Sequence, residues 1–188
     1  MMKCAVDLHI HSCLSPCADD DMTPCNIAGM AYVKHLDCIA LTDHNAAENL
    51  PAAALAAREM GVCLLPGIEV TSSEEVHILC YFPAVDPAVD FGRMIYDHLP
   101  PLPNNKRIFG NQMILGPEDE AQGELSKLLI QATDLSIVEI GRHLRGGAHQ
   151  PLVQLPARKP RLSARKTCVF RAGGLSRRAR ALGGHGEL

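Results

Sequence analysis

The stretch Cys4-Ala-Val-Asp-Leu-His-Ile-His11 decides how the front of this chain is interpreted. It begins as a short apolar run, which is typical of a buried strand, and it ends in two histidines one residue apart. In an extended segment, side chains two residues apart lie on the same face. His9 and His11 are therefore predicted to face one cation together, while Ile10 points the other way into the core.

Strand-like and helix-like segments alternate along the first 65 residues with short connections. Thr23 followed by Pro24 is typical of a helix start, because threonine caps the first turn and proline fits the first helical position. The alternation favours an α/β fold with parallel strands. Beyond the first strand, the predicted elements are a helix from residue 24, a strand at 38–41, a helix at 50–60, strands at 62–65 and 76–82, and helices at 86–99 and 136–145.

Candidate metal ligands recur at the ends of the predicted strands, which is where parallel α/β folds build their active sites. They are His9, His11, His44, Glu69 and His77. One histidine alone is more often a structural residue than a ligand, so the prediction depends on five candidates recurring together. Imidazole and carboxylate groups bind Zn²⁺, Mn²⁺ and Fe²⁺. A mixed set with no required thiolate favours an open catalytic site over a closed structural zinc site.

Three motifs in this order resemble those of the PHP (polymerase and histidinol phosphatase) superfamily. The resemblance covers about residues 3–147 and is strongest over the first 82. It implies a distorted (βα)7 barrel with a three-metal site at the carboxyl ends of its strands, incomplete here at the C-terminal end. The motifs are Asp7-Leu-His-Ile-His-Ser12, Leu41-Thr-Asp-His-Asn45 and Gly67-Ile-Glu-Val-Thr71.

The resemblance also implies a role for each candidate ligand. His9 and His11 would hold one metal, and the carboxylate of Glu69 would bridge that metal to a second one. His77 would complete the second position. The expected cofactors are divalent ions of manganese, zinc or iron, up to three in an intact site.

A third metal is implied for Asp19 and His44. The segment from Ser12 to Pro24 is similar to a subgroup of stand-alone bacterial PHP proteins, in which an acidic residue five positions before such a proline is a ligand, and Asp19 has that position. Asp43 is expected to orient a histidine instead of binding metal itself.

Hydrolysis of a phosphate ester is the activity that the resemblance implies. Clustered divalent cations lower the pKa of bound water towards about 7 and so supply a nucleophile at neutral pH. The expected protein is a metal-dependent phosphoesterase acting on a small phosphorylated substrate. A cytoplasmic location without membrane association is expected, because no signal peptide or membrane-spanning run is visible and a reducing compartment explains the 8 cysteines.

The C-terminal part of the chain departs from the family pattern. The family supplies late ligands from a further histidine and from an Asp-x-His motif, and no such motif follows Asp43. His149 follows Gly146-Gly147 too soon for a strand to intervene. We therefore predict that residues 1–149 form the PHP domain and that residues 150–188 form a basic tail of low order.

The charge distribution changes in the same region. Residues 1–141 hold 7 Lys and Arg against 20 Asp and Glu, whereas residues 142–188 hold 11 against 1. The acidic body suits divalent cations. A change of reading frame near Pro156 is one explanation of the tail, and a genuine polyanion-binding tail is another, although Phe170 is the tail's only aromatic residue and stacking on bases has little support.

Two alternatives to the phosphoesterase stay open. One is a PHP module that binds metal but is catalytically impaired, because the late ligand motifs are missing. The other is a nucleic-acid-associated protein that uses its basic tail. A homo-oligomer is also expected, because an incomplete barrel leaves strand edges unpaired.

Overall fold

A five-stranded sheet carries the candidate ligands. The computed structural model describes residues 4–146 and, for their backbone, residues 153–156. The order across the sheet is β1-β2-β3-β4-β7, while β5 and β6 form a separate hairpin. The strands are β1 (Val6–Ile10), β2 (Cys38–Leu41), β3 (Cys63–Thr71), β4 (His77–Tyr81), β5 (Met113–Leu115), β6 (Ala121–Glu124) and β7 (Val153–Pro156).

Five helices complete the described part of the chain, which is a mixed α/β fold. The predicted cap of the first helix is confirmed, since the side chain of Thr23 accepts a hydrogen bond from the backbone N–H of Asn26. None of these helices is long and apolar enough to cross a membrane. The helices are α1 (Pro24–Val33), α2 (Leu50–Glu59), α3 (Val85–Asp97), α4 (Lys106–Phe109) and α5 (Ile137–Gly146).

The first three strands are parallel, as the alternating pattern predicted, but β4 runs antiparallel to β3. Parallel neighbours need a crossover of a dozen or more residues, and only five residues separate β3 from β4. A tight turn closes the connection, with Glu75 at φ 58° and the N–H of Ser72 bonded to the carbonyl of Val76. As a result, β4 begins at the edge of the sheet where β3 ends, and His77 pairs with Thr71.

Strand β3 is longer than predicted and continues through Thr71, so Glu69 lies inside the strand and does not follow it. The strand is buried from Leu65 onward, and Gly67 allows its neighbours to approach closely. A Cβ added at Gly67 would lie 2.7 Å from Cγ2 of Thr42 and 3.1 Å from Cδ1 of Tyr81. Glycine is therefore required at position 67 because a larger side chain would collide with Thr42 and Tyr81, and not because of its backbone conformation.

The two faces of the sheet pack against different surroundings. On the outer face, alternate strand residues such as Ile39, Ile68 and Ile78 pack with the apolar side chains of the helices. On the inner face, a smaller cluster is formed by Cys38, Ala40, Leu65, Leu79 and Tyr81. Because β3 and β4 alternate strictly and Glu69 pairs with Leu79, Glu69 and His77 lie on the inner face.

Strand β1 contains a β-bulge that changes which way its side chains point. Asp7 pairs with Ile39 and Ile10 pairs with Leu41, so β1 has one extra residue over this interval. Leu8 packs against the inner cluster, whereas Ile10 packs against the outer one, although a regular strand would place both on one face. Ile10 therefore points into the apolar core between the sheet and the helices, as predicted, while His9 and His11 reach Glu69.

Four residues of the predicted tail, Val153–Pro156, form β7 and pair antiparallel with β4. The rest of residues 147–188, including His149, lies outside the described residues. The predicted domain boundary at residue 150 stays a prediction.

Candidate metal centre

The carboxylate of Glu69 is the centre of a cluster of four histidines. Its Oε2 lies 3.0 Å from Nε2 of His9, 3.1 Å from Nε2 of His11 and 3.5 Å from Nδ1 of His44. Its Oε1 lies 3.0 Å from Nδ1 of His77. The structure therefore brings five of the six sequence-predicted site residues together around one buried carboxylate.

Each member of the cluster comes from a different place in the sheet. His9 lies in β1, His11 directly follows it, and Glu69 lies in β3. His44 follows β2 and forms an isolated parallel bridge with Glu69. His77 opens β4, and it reaches the same edge because β4 is antiparallel. The convergence is thus a direct result of strand order and direction.

His44 is the most buried histidine of the cluster. Burial lowers its pKa to about 4, and the neighbouring histidines act in the same direction. Its Nδ1 is buried and has no hydrogen-bond partner in the described part of the chain. Buried polar nitrogens are nearly always paired. An unpaired imidazole nitrogen aimed at a carboxylate is therefore an observation that fits a cation ligand.

His11 and Glu69 stabilise each other as an ion pair. Burial alone would lower the pKa of His11, but its hydrogen bonds with Cys17 and Glu69 outweigh that effect and raise the pKa to about 10. Burial alone would raise the pKa of Glu69, but the hydrogen bonds from His11 and His9 bring it to about 2. A metal ligand must be deprotonated, so cation binding at this pair would release a proton.

Three groups of side chains in the described residues are compact enough to hold an ion, with ligand atoms within 4.8 Å of one another. Two of them share Glu69, which suits a carboxylate that bridges two cations. The third group contains Cys17, which the sequence interpretation did not include. The groups are His9-His11-Glu69, His44-Glu69-His77 and His11-Cys17-His44.

Cys17 could not be recognised from spacing, because it has no CxxC partner and the family motif points to Asp19 instead. Asp19 is exposed, and none of the three groups from the described residues includes it. It lines a cleft beside α1 together with Asp21 and Asn26. The ligand role predicted for Asp19 stays a prediction.

Asp43 is buried beneath the cluster and holds the loop that follows β1. It accepts hydrogen bonds of 2.7 Å from the N–H and the hydroxyl of Ser12 and from the hydroxyl of Ser15. The Oγ of Ser15 also accepts a bond of 3.0 Å from the N–H of His44 and lies 3.2 Å from Nδ1 of His11. Asp43 thus contacts the cluster through other residues, and it belongs to none of the three groups.

The same network fixes the tautomer of His11. Since Ser15 has one hydroxyl hydrogen and gives it to Asp43, its oxygen accepts from Nδ1–H of His11. In the neutral ring, Nε2 then carries the lone pair and faces Glu69 and His9. Orientation of a histidine ligand by a bond to its other nitrogen is common at metal sites.

Comparison with known proteins finds relatives of part of the chain, while no family model matches. A 5'-3' exoribonuclease of Haemophilus influenzae is 33% identical over 76 residues, which are 39% of this chain and 27% of that protein. A 3',5'-nucleoside bisphosphate phosphatase of Chromobacterium violaceum is 37% identical over 86 residues, which are 44% of this chain and 28% of that protein. The chain thus spans little more than a quarter of these curated relatives.

Two solved structures are also similar to half of the chain. One, described as a metal-dependent phosphoesterase from Bifidobacterium adolescentis, has a TM-score of 0.42 at 26% identity and is covered over 33% of its length. The other, an amidohydrolase from Chromobacterium violaceum with bound sulfate and no metal, has a TM-score of 0.43 at 31% identity and is covered over 32%. The two sequence relatives, one a phosphatase and one a ribonuclease, agree with the resemblance to PHP-type phosphoesterases that the three motifs indicated.

Proposed function

We propose that this chain holds divalent cations between Glu69 and its four histidines and uses them to hydrolyse a phosphate ester. The observation that carries the proposal is the convergence of four imidazoles on one buried carboxylate, with Nδ1 of His44 left without a hydrogen-bond partner. The two sequence relatives support the reaction class, because they are named as a phosphatase and a ribonuclease.

The donor set fits metals of the zinc, manganese and iron type, which accept imidazole nitrogen and carboxylate oxygen. The two oxygens of Glu69 face different partners: Oε2 faces His9, His11 and His44, and Oε1 faces His77. That division suits a bridging carboxylate between two ions. Cations bound there would supply an activated water and neutralise the oxygens of a phosphate group.

The remaining residues of the site orient the candidate ligands or set the side from which a substrate would approach. Ser15 and Asp43 hold Nε2 of His11 toward Glu69 and keep the loop after β1 in place. His9 and His77 are the most exposed members, with 44% and 38% of their side chains open to solvent. A phosphorylated substrate would therefore approach from their side, while His44 and Glu69 form the buried floor.

The proposal includes the barrel that the resemblance implies. Three parallel strands with helices on the outer face and an antiparallel fourth strand are consistent with part of a distorted (βα)7 barrel.

The test compares turnover and metal content in the same protein samples. Glu69→Gln removes the central carboxylate, whereas His143→Ala removes an exposed histidine of α5 that belongs to no ligand group and serves as the matched control. The substrates are a chromogenic phosphomonoester, a chromogenic diester, a nucleoside 3',5'-bisphosphate and a 5'-phosphorylated oligoribonucleotide, each with added Mn²⁺, Zn²⁺ or Fe²⁺.

We expect metal-dependent turnover of at least one substrate in the wild type and in His143→Ala, and its loss together with bound metal in Glu69→Gln. Bound metal without turnover of any substrate would instead support the catalytically impaired module. Wild-type protein that binds no divalent cation would overturn the proposal. The choice among the four substrates also separates a small-molecule substrate from a nucleic acid.

A further inference from the structure

We propose that Cys17 is a thiolate ligand of a metal position that it forms with His11 and His44. The inference deepens the proposed function and rests on it. The Sγ of Cys17 and one ring nitrogen of each histidine all lie within 4.8 Å of one another. The sequence resemblance assigns this position to Asp19, so the structure points to a different ligand with different chemistry.

The ligand atoms are near enough for one small ion. Zinc lies about 2.3 Å from a thiolate sulfur and about 2.0–2.1 Å from a histidine nitrogen, so at tetrahedral angles two such ligand atoms are about 3.3–3.6 Å apart. From the upper limit of 4.8 Å, they would move together by at most about 1.5 Å on binding. Rotation of the Cys17 side chain is the expected source of this movement, because Cys17 is the exposed member of the group.

The loop that carries Cys17 is anchored, so the thiol does not reach the histidines by chance. Ser12 and Ser15 are fully buried, and both give their hydroxyl hydrogens to Asp43. Two successive turns follow, with the N–H of Ser15 bonded to the carbonyl of Ser12 and the N–H of Ala18 bonded to that of Ser15. Cys17 lies inside the second turn, two residues beyond the anchor.

His44 is the member of this group that has an unpaired polar atom. It is 5% exposed, and its buried Nδ1, 3.5 Å from Oε2 of Glu69, has no hydrogen-bond partner in the part of the chain that the structure describes. His44 belongs both to the group with Cys17 and to the group with Glu69. Through His44, the group with Cys17 shares a residue with the proposed centre, so Cys17 is not an isolated surface cysteine.

A thiolate changes which metals the position prefers. Soft sulfur ligands select zinc over manganese or magnesium, which prefer oxygen. Two histidines and one cysteine also make three protein ligands, the number found at catalytic zinc sites that keep a fourth position for water or substrate. We therefore expect the position of Cys17 to select Zn²⁺ or Co²⁺ over Mn²⁺, unlike the oxygen-containing positions around Glu69. Because Nδ1–H of His11 is bonded to Ser15, only its Nε2 can bind metal, so an ion held by Cys17 takes His11 from the position that it would otherwise share with His9 and Glu69.

Cobalt is the direct probe, because a cobalt–thiolate bond absorbs in the near ultraviolet by charge transfer. Full-length wild type, Cys17→Ser, Asp19→Asn and the control Cys25→Ser are stripped of metal and titrated with Co²⁺. Cys25 is a partly exposed thiol of α1 that bonds to the carbonyl of Pro117 and belongs to no ligand group. The expected result is a charge-transfer band in every protein except Cys17→Ser.

Alkylation of the wild type gives a second readout that needs no variant. Zn²⁺ is expected to protect Cys17 from iodoacetamide at least tenfold and to leave Cys25 unprotected, as judged by peptide mass spectrometry. A band that persists in folded Cys17→Ser, or equal alkylation of Cys17 with and without Zn²⁺, would overturn the assignment. If Co²⁺ binding depends on Glu69 but shows no thiolate band, the Cys17 proposal fails alone; if no metal binds, both proposals fail.

Discussion

The hydroxyl of Ser15 donates a 2.7 Å hydrogen bond to Oδ1 of Asp43, and its oxygen thereby becomes an acceptor for the cluster above it. That oxygen meets Nδ1 of His11 and the backbone N–H of His44. One serine thus links a buried carboxylate to two candidate ligands. The role predicted for Asp43, to orient a histidine, has a concrete route through this contact.

Ser15→Ala tests that route. The substitution removes the acceptor for His11, and loss of such an outer partner typically lowers metal affinity about 10–100-fold. We expect a decrease of that size in a Zn²⁺ or Mn²⁺ titration. Ser73→Ala is the control, since Ser73 is an exposed serine of the β3–β4 turn and should leave affinity unchanged. Equal affinities in both variants would contradict the route.

Tyr81→Phe tests the support beneath β1. The hydroxyl of Tyr81 donates a 2.6 Å hydrogen bond to the carbonyl of Leu8, directly before His9. Removing the hydroxyl deletes this hydrogen bond, which costs about 0.5–1.5 kcal/mol. Urea denaturation should show this loss in the free energy of unfolding. Tyr32→Phe, at a tyrosine that is 62% exposed, should show almost none.

Gly67→Ala tests the close packing of β3. The added methyl group would meet Thr42 at 2.7 Å and Tyr81 at 3.1 Å, so we expect a loss of about 1–3 kcal/mol in the free energy of unfolding. Gly29→Ala is the opposite case, because Gly29 lies in α1 with no atom within 4 Å of the added Cβ. Alanine there should stabilise the helix by up to about 1 kcal/mol. Similar effects of both substitutions on the denaturation midpoint would refute this explanation.

The stability of the metal-free protein should be greatest near pH 6.5. The pKa of His44 falls from 6.5 to about 4 on folding, so the unfolded chain binds more protons between these values and stability is lost as pH falls. The pKa of Glu69 falls from 4.5 to about 2 and extends that loss to lower pH. The pKa of His11 rises from 6.5 to about 10, so its contribution is complete below pH 6.5 and is lost as pH rises toward 10.

Thermal melting in chelator between pH 4 and pH 10 checks this prediction. The midpoint should decrease on both sides of the maximum, and the acid side should be less steep in His44→Asn, which lacks the depressed group. An unchanged acid slope in that variant would show that other groups are responsible. The alkaline side should likewise become flatter in His11→Asn.

Much of the centre could be predicted because it depends on strand ends. Parallel strands bring their carboxyl ends to one edge, so the sequence alone predicts that residues such as His11 and His44 meet. The apolar runs located the first four strands, and the Thr23-Pro24 pair located α1. These signals are local, and local signals are what a single sequence displays.

The features that could not be predicted depend on contacts between distant residues. Cys17 is positioned by bonds from Ser12 and Ser15 to Asp43, which lies 31 and 28 positions away. The inclusion of Glu69 within β3 depends on pairing with Leu79 of β4. Such contacts leave no periodic pattern in the sequence. The family motif indicated Asp19, whereas the side chain that lies beside the histidines is Cys17, two residues earlier.

The bulge in β1 has a consequence for protein engineering. One extra residue between Asp7 and Ile10 places Leu8 on one face of the sheet and Ile10 on the other. The direction of the two histidine side chains therefore depends on this bulge as well as on the His-x-His spacing. A graft of both histidines onto a regular strand of another scaffold would preserve their spacing but misalign them with a carboxylate at the place of Glu69. A transplanted centre therefore has to include the irregular backbone along with its side chains.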